Sequence, residues 1–187
     1  RIDVSYAKGC PLALKSGETY SVEGPEGQEA LALAANADLV IYVGGLDAKL
    51  EGEEMKTSYQ GFDRGDRIAI DLPSPQNDLL KALENTGKPV VFVNMSGSAI
   101  ALPWADEHLD AIVQLWYPGQ NGGTAIADAL FGKVNPAGRL PVTFYRSVDD
   151  LPDFLDYSMA NRTYRYFEGK PLYAFGHCLS YTTFEYK

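Results

Sequence analysis

Residues 38–45 have the sequence Asp-Leu-Val-Ile-Tyr-Val-Gly-Gly, an apolar run bounded by an aspartate and two glycines. Such an uninterrupted run is typical of a β-strand covered on both faces, as in a parallel sheet, and the glycines mark its end. Two similar runs follow along the chain, Pro89–Asn94 and Ala111–Trp116. The three runs together predict parallel strands of one sheet.

Helical patterns alternate with these runs. Ser74 followed by Pro75 is an N-cap and first-turn signal, and Gly87 is a C-terminal stop signal. Helices are expected over residues 29–37, 74–87, 104–108 and 125–131. Strands that alternate with helices in this way predict βαβ units, with helices on both faces of the sheet.

The two ends of the sequence differ from this middle part. Ile2–Ala7 alternates apolar and polar residues and predicts a short strand. From Asn135 onward the chain is rich in Pro, Tyr, Phe and Gly, with one more strand expected at Leu140–Tyr145. The predicted fold class is α/β. A single domain over residues 1–187 forms a three-layer αβα sandwich with a mostly parallel sheet, plus an irregular Tyr/Pro-rich C-terminal segment.

Composition excludes several classes of partner. The 187 residues contain 16 Lys and Arg against 25 Asp and Glu, a net charge of −9. This balance repels phosphate backbones and anionic lipid, so neither nucleic acid nor a membrane surface is expected as a partner. No run of 18 apolar residues predicts a membrane span. A neutral substrate is compatible with the charge.

The sequence also lacks the patterns of common cofactor and nucleophile sites. No Gly-rich strand-to-helix turn matches a dinucleotide or phosphate-binding motif, so no cofactor is expected. Ser96–Ser98 contains only fragments of a serine-nucleophile elbow. Cys10, Cys178 and the two histidines lack metal-ligand spacing, so no metal is expected and both thiols are predicted to be free and buried. His177 precedes Cys178 directly, which favours a structural turn over a catalytic pair.

The loop after the first apolar run carries the most unusual chemistry. Ligands of open parallel sheets bind beyond the carboxyl ends of the strands, and Glu51, Glu53 and Glu54 lie in this acidic loop. A partly shielded carboxyl group among like charges is a usable general acid. A solvated loop with ion pairs to nearby Lys and Arg residues explains the same pattern. The residue pattern leaves both interpretations open.

Several motifs in order resemble the second domain of glycoside hydrolase family 3, from about Gly27 to Phe184. They are residues 37–45 (ADLVIYVGG), 51–54 (EGEE), 65–67 (GDR), 71–73 (DLP), 88–93 (KPVVFV), 116–120 (WYPGQ), 122–128 (GGTAIAD), 135–144 (NPAGRLPVTF), 162–166 (RTYRY) and 175–184 (FGHCLSYTTF). Each motif alone is weak, but their shared order makes the resemblance specific.

This resemblance implies a catalytic role. Members of the family are exo-acting, retaining β-glycosidases, in which an N-terminal barrel supplies an aspartate nucleophile and the following α/β sandwich supplies the acid/base glutamate. Matching the family's glutamate segment places Glu53 at the acid/base position, with Glu51 and Glu54 as the alternatives. No nucleophile is assigned within this chain, which resembles an excised second domain.

The resemblance also implies partners and a location. The expected partners are a β-linked oligosaccharide or aryl glycoside substrate, the protein's own N-terminal barrel and a second copy in a homodimer. A β-glucosidase is expected, with a β-xylosidase or a non-catalytic docking module as alternatives, in the periplasm or secreted. Four tail aromatics either stack on sugar rings or, as favoured here, pack against neighbouring domains: Tyr164, Tyr166, Phe167 and Tyr173.

Overall fold

The computed structural model describes residues 2–52, 55, 58–64 and 66–185, and the chain forms two compact units, residues 1–116 and residues 117–187. The first unit contains, in chain order, α1 (Pro25–Ala35), β1 (Val40–Gly45), β2 (Phe62–Asp63), β3 (Asp66–Arg67), α2 (Ser74–Glu84), β4 (Val90–Met95), α3 (Pro103–His108) and β5 (Ala111–Gln114). The second unit contains α4 (Gly122–Leu130), a 3₁₀ turn (Val148–Asp150) and α5 (Thr163–Tyr166).

A parallel sheet organises the first unit. Its strand order is β1-β4-β5, and both strand pairs are parallel. Val40 pairs with Val90 at one end of the β1–β4 ladder and Gly45 pairs with Met95 at the other, so these two strands end together. β2 and β3 form a separate antiparallel pair. The parallel strands alternating with helices confirm the predicted α/β class.

Burial differs between the strands of this sheet. In β4, Val90, Phe92 and Val93 are almost completely buried, as predicted for a strand covered on both faces. In β1, Tyr42 is buried, whereas Ile41 is 40% exposed and Val43 is 60% exposed. The prediction that β1 is covered on both faces is therefore wrong for this chain. An apolar run identifies a strand but does not show which residues cover each face.

Helix α2 packs three leucines into the core. Leu79, Leu80 and Leu83 are at most 3% exposed, which confirms the predicted apolar face. The predicted N-cap at Ser74 is wrong, because Ser74 is already the first helical residue and Pro73 occupies the cap position. Proline has no side-chain hydrogen-bonding group, so Pro73 makes no side-chain cap; Pro75 lies in the first turn, where the N–H that proline lacks would have no helical partner.

Two predicted strands are absent. Ile2–Ala7 forms no strand, and Val4 is 87% exposed; among the described residues this segment has no ladder partner, without which an extended segment is not a stable strand. In the second unit, Leu140–Tyr145 is irregular except for a bridge between Phe144 and Tyr173. Pro141 interrupts any longer ladder because it has no N–H to donate.

Aromatic packing holds the second unit together. The Tyr173 ring stacks on His177 with centroids 5.0 Å apart, and Tyr164 stacks on Phe175 at 4.5 Å. Phe167 meets Tyr145 edge-on at 5.0 Å. Three of the four tail aromatics singled out from the sequence therefore pack against rings of their own unit.

The two cysteines provide a test of burial. Both are free; Cys10 is buried beside the Tyr42 hydroxyl, whereas Cys178 is only half-buried, so the prediction that both are buried holds for Cys10 alone. Burial raises the pKa of the Cys10 thiol, and the thiolate is the reactive form.

We expect Cys178 to react with a disulfide reagent at neutral pH well before Cys10, and the reaction of Cys10 to become faster as pH rises. Single Cys10→Ser and Cys178→Ser variants assign each phase; a faster Cys10 at neutral pH would contradict this burial.

Candidate functional site

The loop after β1 begins with one helical turn. The side chain of Asp47 accepts hydrogen bonds from the backbone N–H groups of Lys49 (3.0 Å) and Leu50 (2.8 Å). The Asp47 carbonyl accepts from the N–H groups of Leu50 and Glu51, both at 3.1 Å. Leu46 and Leu50 are each 3% exposed and fix the turn to the core. An aspartate at the start of a turn commonly makes such side-chain bonds, and here the turn places Glu51.

Glu51 joins this loop to the loop after β4. One carboxylate oxygen accepts the Gly97 N–H at 2.9 Å, and the other accepts the Ser98 hydroxyl. Because β1 and β4 end together, their following loops meet at the carboxyl edge of the sheet. The Glu51 carboxylate is therefore held at the place where an open α/β sheet binds its ligands.

Arg67, at the end of β3, supports the same loop. Its guanidinium donates to the Ser98 hydroxyl oxygen (3.0 Å) and to the carbonyls of Ala99 (3.1 Å) and Ala69 (3.1 Å). The sequence suggested Arg67 only as an ion-pair partner of the acidic loop or as a family motif residue. Its role as a bridge between β3 and the 96–99 loop required the structure, because Arg67 and Ser98 are 31 positions apart in the sequence.

A buried row of polar side chains lies beneath this loop. Asn94 donates to Gln114 across β4 and β5 (2.6 Å), Gln114 donates to Ser96 (3.2 Å), and Ser96 donates to the Ser98 carbonyl (2.7 Å). Asn94 and Ser96 are completely buried. Buried polar groups that bond to one another stabilise a single arrangement, so the 96–98 loop has a fixed shape.

Gln76 of α2 fixes the exit of β1. Its side-chain carbonyl accepts the Gly45 N–H and its amide donates to the Gly45 carbonyl, both at 2.7 Å. The same amide donates to the Leu12 carbonyl at 2.6 Å. Gly45 has φ +121°, and a Cβ there would lie 1.9 Å from the Met95 carbonyl oxygen. Only glycine fits this close approach, and Gln76 is 1% exposed.

The structure places the other candidate residues as follows. Glu53, the predicted acid/base residue, and Glu54 lie outside the described residues. His177 stacks on Tyr173, whereas the Cys178 sulfur lies 3.8 Å from the Pro136 carbonyl oxygen, so these neighbours face different partners and favour the structural turn.

The described part of the chain contains no group of three or more His, Cys, Asp or Glu residues that could hold a metal ion. No helix in the described part of the chain has the length and apolar character needed to cross a bilayer.

The fold and this edge define an α/β domain that presents a carboxylate-bearing loop beyond a parallel sheet. Residues 8–181 match the model of the glycosyl hydrolase family 3 C-terminal domain. The chain belongs to this family.

Curated relatives carry names from two activities. A protein of Xylanibacter ruminicola named xylan 1,4-beta-xylosidase is 56% identical over 158 residues, which are 84% of this chain and 18% of that protein. The periplasmic beta-glucosidase of Salmonella typhimurium is 41% identical over 83% of this chain and 21% of its own length. The chain therefore spans about a fifth of the length of these relatives.

Solved structures show the same fold. A GH3 exo-beta-xylosidase in complex with a xylobiose aziridine probe superposes with a TM-score of 0.79 at 33% identity, covering 97% of this chain and 23% of that one. A GH3 beta-glucosidase of Bifidobacterium adolescentis gives a TM-score of 0.75 at 31% identity, covering 97% of this chain and 27% of that one.

Proposed function

We propose that the whole protein is a retaining exo-β-glycosidase and that this chain is the domain that bears its acid/base residue, Glu53. Glu53 protonates the glycosidic oxygen as the aglycone leaves, and its carboxylate then takes a proton from the water that hydrolyses the glycosyl-enzyme intermediate. The nucleophile comes from a barrel domain outside residues 1–187. The family and the named activities of its members support this assignment.

The bonding of Glu51 is the observation that favours Glu53. Both Glu51 oxygens accept hydrogen bonds, from Gly97 N–H and the Ser98 hydroxyl. A carboxyl group acting as proton donor must direct its O–H at the substrate, whereas both oxygens of the Glu51 side chain are engaged by groups of the loop after β4. Glu51 therefore suits the role of an anchor. Glu53, two residues further along beyond Gly52, takes the acid/base role, and Glu54 is the remaining alternative.

The substrate is a terminal β-D-xylosyl residue, with a terminal β-D-glucosyl residue as the second candidate. The resemblance seen in the sequence favoured glucose. Among the relatives compared, however, the one at 56% identity is named a xylosidase, as is a Formosa agariphila protein that aligns with 99% of this chain at 35% identity. The Salmonella glucosidase, at 41% identity, keeps glucose as the alternative.

We expect the whole enzyme to prefer p-nitrophenyl β-xyloside to the β-glucoside by at least about tenfold in kcat/KM, because a pocket shaped for a pentose excludes the extra hydroxymethyl group. The initial product should be the β-anomer of the sugar by proton NMR, as retention requires. An equal or higher kcat/KM on the glucoside would reassign the substrate. An α-anomeric first product would reject the retaining mechanism.

The proposed setting is outside the cytoplasm, in the periplasm or medium, as the name of the Salmonella relative suggests. The proposed partners are the barrel domain of the same protein and, in a homodimer, a second copy. Cell fractionation with a cytoplasmic marker enzyme as control tests the location. Light scattering of the whole enzyme tests the dimer.

A further inference from the structure

We propose that Ser98, oriented by Arg67, is a positioning residue for the acid/base segment. Its hydroxyl fixes the side chain of Glu51, and Glu51 precedes the proposed acid/base residue by two positions in the sequence. This inference rests on the proposed role of Glu53. Ser98 lies 45 positions from Glu53 in the sequence and belongs to a different loop, yet it would help to position the proton donor.

The donors and acceptors around Ser98 fix the direction of its hydroxyl proton. Arg67 has only N–H donors, so the 3.0 Å contact from its Nη1 makes Ser98 Oγ the acceptor. The single hydroxyl group of Ser98 then donates its hydrogen bond to the Glu51 carboxylate. Arg67 itself is held by backbone carbonyls, including those of Ala99 and Ala69, and Ser98 bridges its guanidinium group and the Glu51 carboxylate.

Ser98 is held in place by a hydrogen bond to its backbone carbonyl. Buried Ser96 donates to the Ser98 carbonyl at 2.7 Å and accepts from Gln114 at 3.2 Å. On the other side, the Asp47 turn holds the Glu51 backbone through a 3.1 Å bond from the Glu51 N–H. Glu51 is thus held at its backbone by the Asp47 turn and at its side chain by the loop after β4, to which the Ser98 hydroxyl joins it.

Removing that bond should affect acid catalysis selectively. In Ser98→Ala, Glu51 keeps its bond to the Gly97 N–H but loses the hydroxyl, so the segment that carries Glu53 is held less precisely. Small misplacements of a catalytic group cost up to about 10²-fold in rate. We expect kcat on xylobiose, whose leaving group needs a proton, to fall about 10- to 100-fold. Glycosylation by a dinitrophenyl β-xyloside, whose leaving group needs none, should change less than about threefold.

The experiment uses the whole enzyme with Ser98→Ala, Ser98→Thr and Ser21→Ala. Ser98→Thr restores the hydroxyl and should recover most of the lost rate on xylobiose. Ser21→Ala removes an exposed hydroxyl that accepts only a local turn bond from the Glu23 N–H, so it is the matched control. Pre-steady-state glycosylation rates on both substrates give the leaving-group dependence. Hydrogen exchange of the peptide spanning residues 47–52 reports the segment itself and should speed up in Ser98→Ala only.

The positioning role would be overturned if Ser98→Ala lost glycosylation rate equally on both substrates. It would also be overturned if the variant changed neither the leaving-group dependence nor the hydrogen exchange. A parallel Glu53→Ala variant separates the two proposals. If Glu53→Ala is impaired and Ser98→Ala behaves as wild type, the acid/base assignment stands and the positioning role fails. If Glu53→Ala is fully active, the acid/base assignment fails together with the catalytic part of this inference. Hydrogen exchange then decides whether Ser98 still fixes the segment.

Discussion

Glu53→Ala in the whole enzyme is expected to lower kcat on xylobiose by about 10²- to 10⁴-fold, the usual contribution of a general acid–base residue. Both steps of a retaining mechanism use this group, first as the acid and then as the base. The loss should therefore depend on the leaving group. With a dinitrophenyl β-xyloside, glycosylation remains fast, deglycosylation becomes limiting, and KM falls together with kcat because the intermediate accumulates.

The matched control for this variant is Glu29→Ala, which removes an exposed glutamate from helix α1 in the same unit. It should leave kcat and KM on both substrates unchanged. Steady-state kinetics across a series of aryl xylosides provide the measurement. If Glu53→Ala lowers kcat/KM, which reports the glycosylation step, by the same factor for every leaving group, the residue does not protonate the aglycone and the assignment is incorrect.

Gln76→Leu is expected to lower the free energy of unfolding by about 3 kcal/mol or more, since each buried polar group left without a partner costs about 1–3 kcal/mol. The Gln76 side chain binds both the N–H and the carbonyl of Gly45, and it also binds the Leu12 carbonyl. Leucine has a similar volume but can bond to none of them. Because Gly45 precedes the loop that carries Glu51, this substitution should also loosen the candidate site.

Urea denaturation of the chain with Gln76→Leu, followed by fluorescence, measures this effect. Gln60→Leu is the control, because Gln60 is exposed and its side chain makes a single long bond of 3.5 Å to the Glu18 carbonyl. That variant should stay within about 0.5 kcal/mol of the parent. Equal midpoints for the two variants would show that the buried amide of Gln76 contributes little to the stability of the β1 exit.

Much of the fold follows from local pattern. Long apolar runs identify β1, β4 and β5, and the leucine spacing of α2 identifies its buried face. The failures are segments whose state depends on distant partners. Ile2–Ala7 has the alternation of a strand, but alternation alone supplies no neighbouring ladder. At Leu140–Tyr145, Pro141 interrupts a run of otherwise suitable composition.

The candidate site is only partly predictable from the sequence. Parallel strands end at one edge of their sheet, and this rule alone predicts that the Glu51 loop and the Ser96–Ser98 loop lie near each other. Which atoms meet depends on the β1–β4 register and on the Asp47 turn, so the bond from Ser98 to Glu51 does not follow from the sequence. Gln76 was missed because a polar residue in an amphipathic helix is normally assigned to the solvent side.

The most direct test of the central claim is azide rescue of three alanine variants of the whole enzyme, Glu51→Ala, Glu53→Ala and Glu54→Ala, on a dinitrophenyl β-xyloside. Azide attacks the glycosyl-enzyme intermediate without needing a general base, so it replaces the missing residue only where that residue was the acid/base group. We predict that azide accelerates Glu53→Ala alone and that the product is the β-xylosyl azide. Rescue of Glu51→Ala or Glu54→Ala instead, or rescue of none of the three, would contradict the assignment of Glu53.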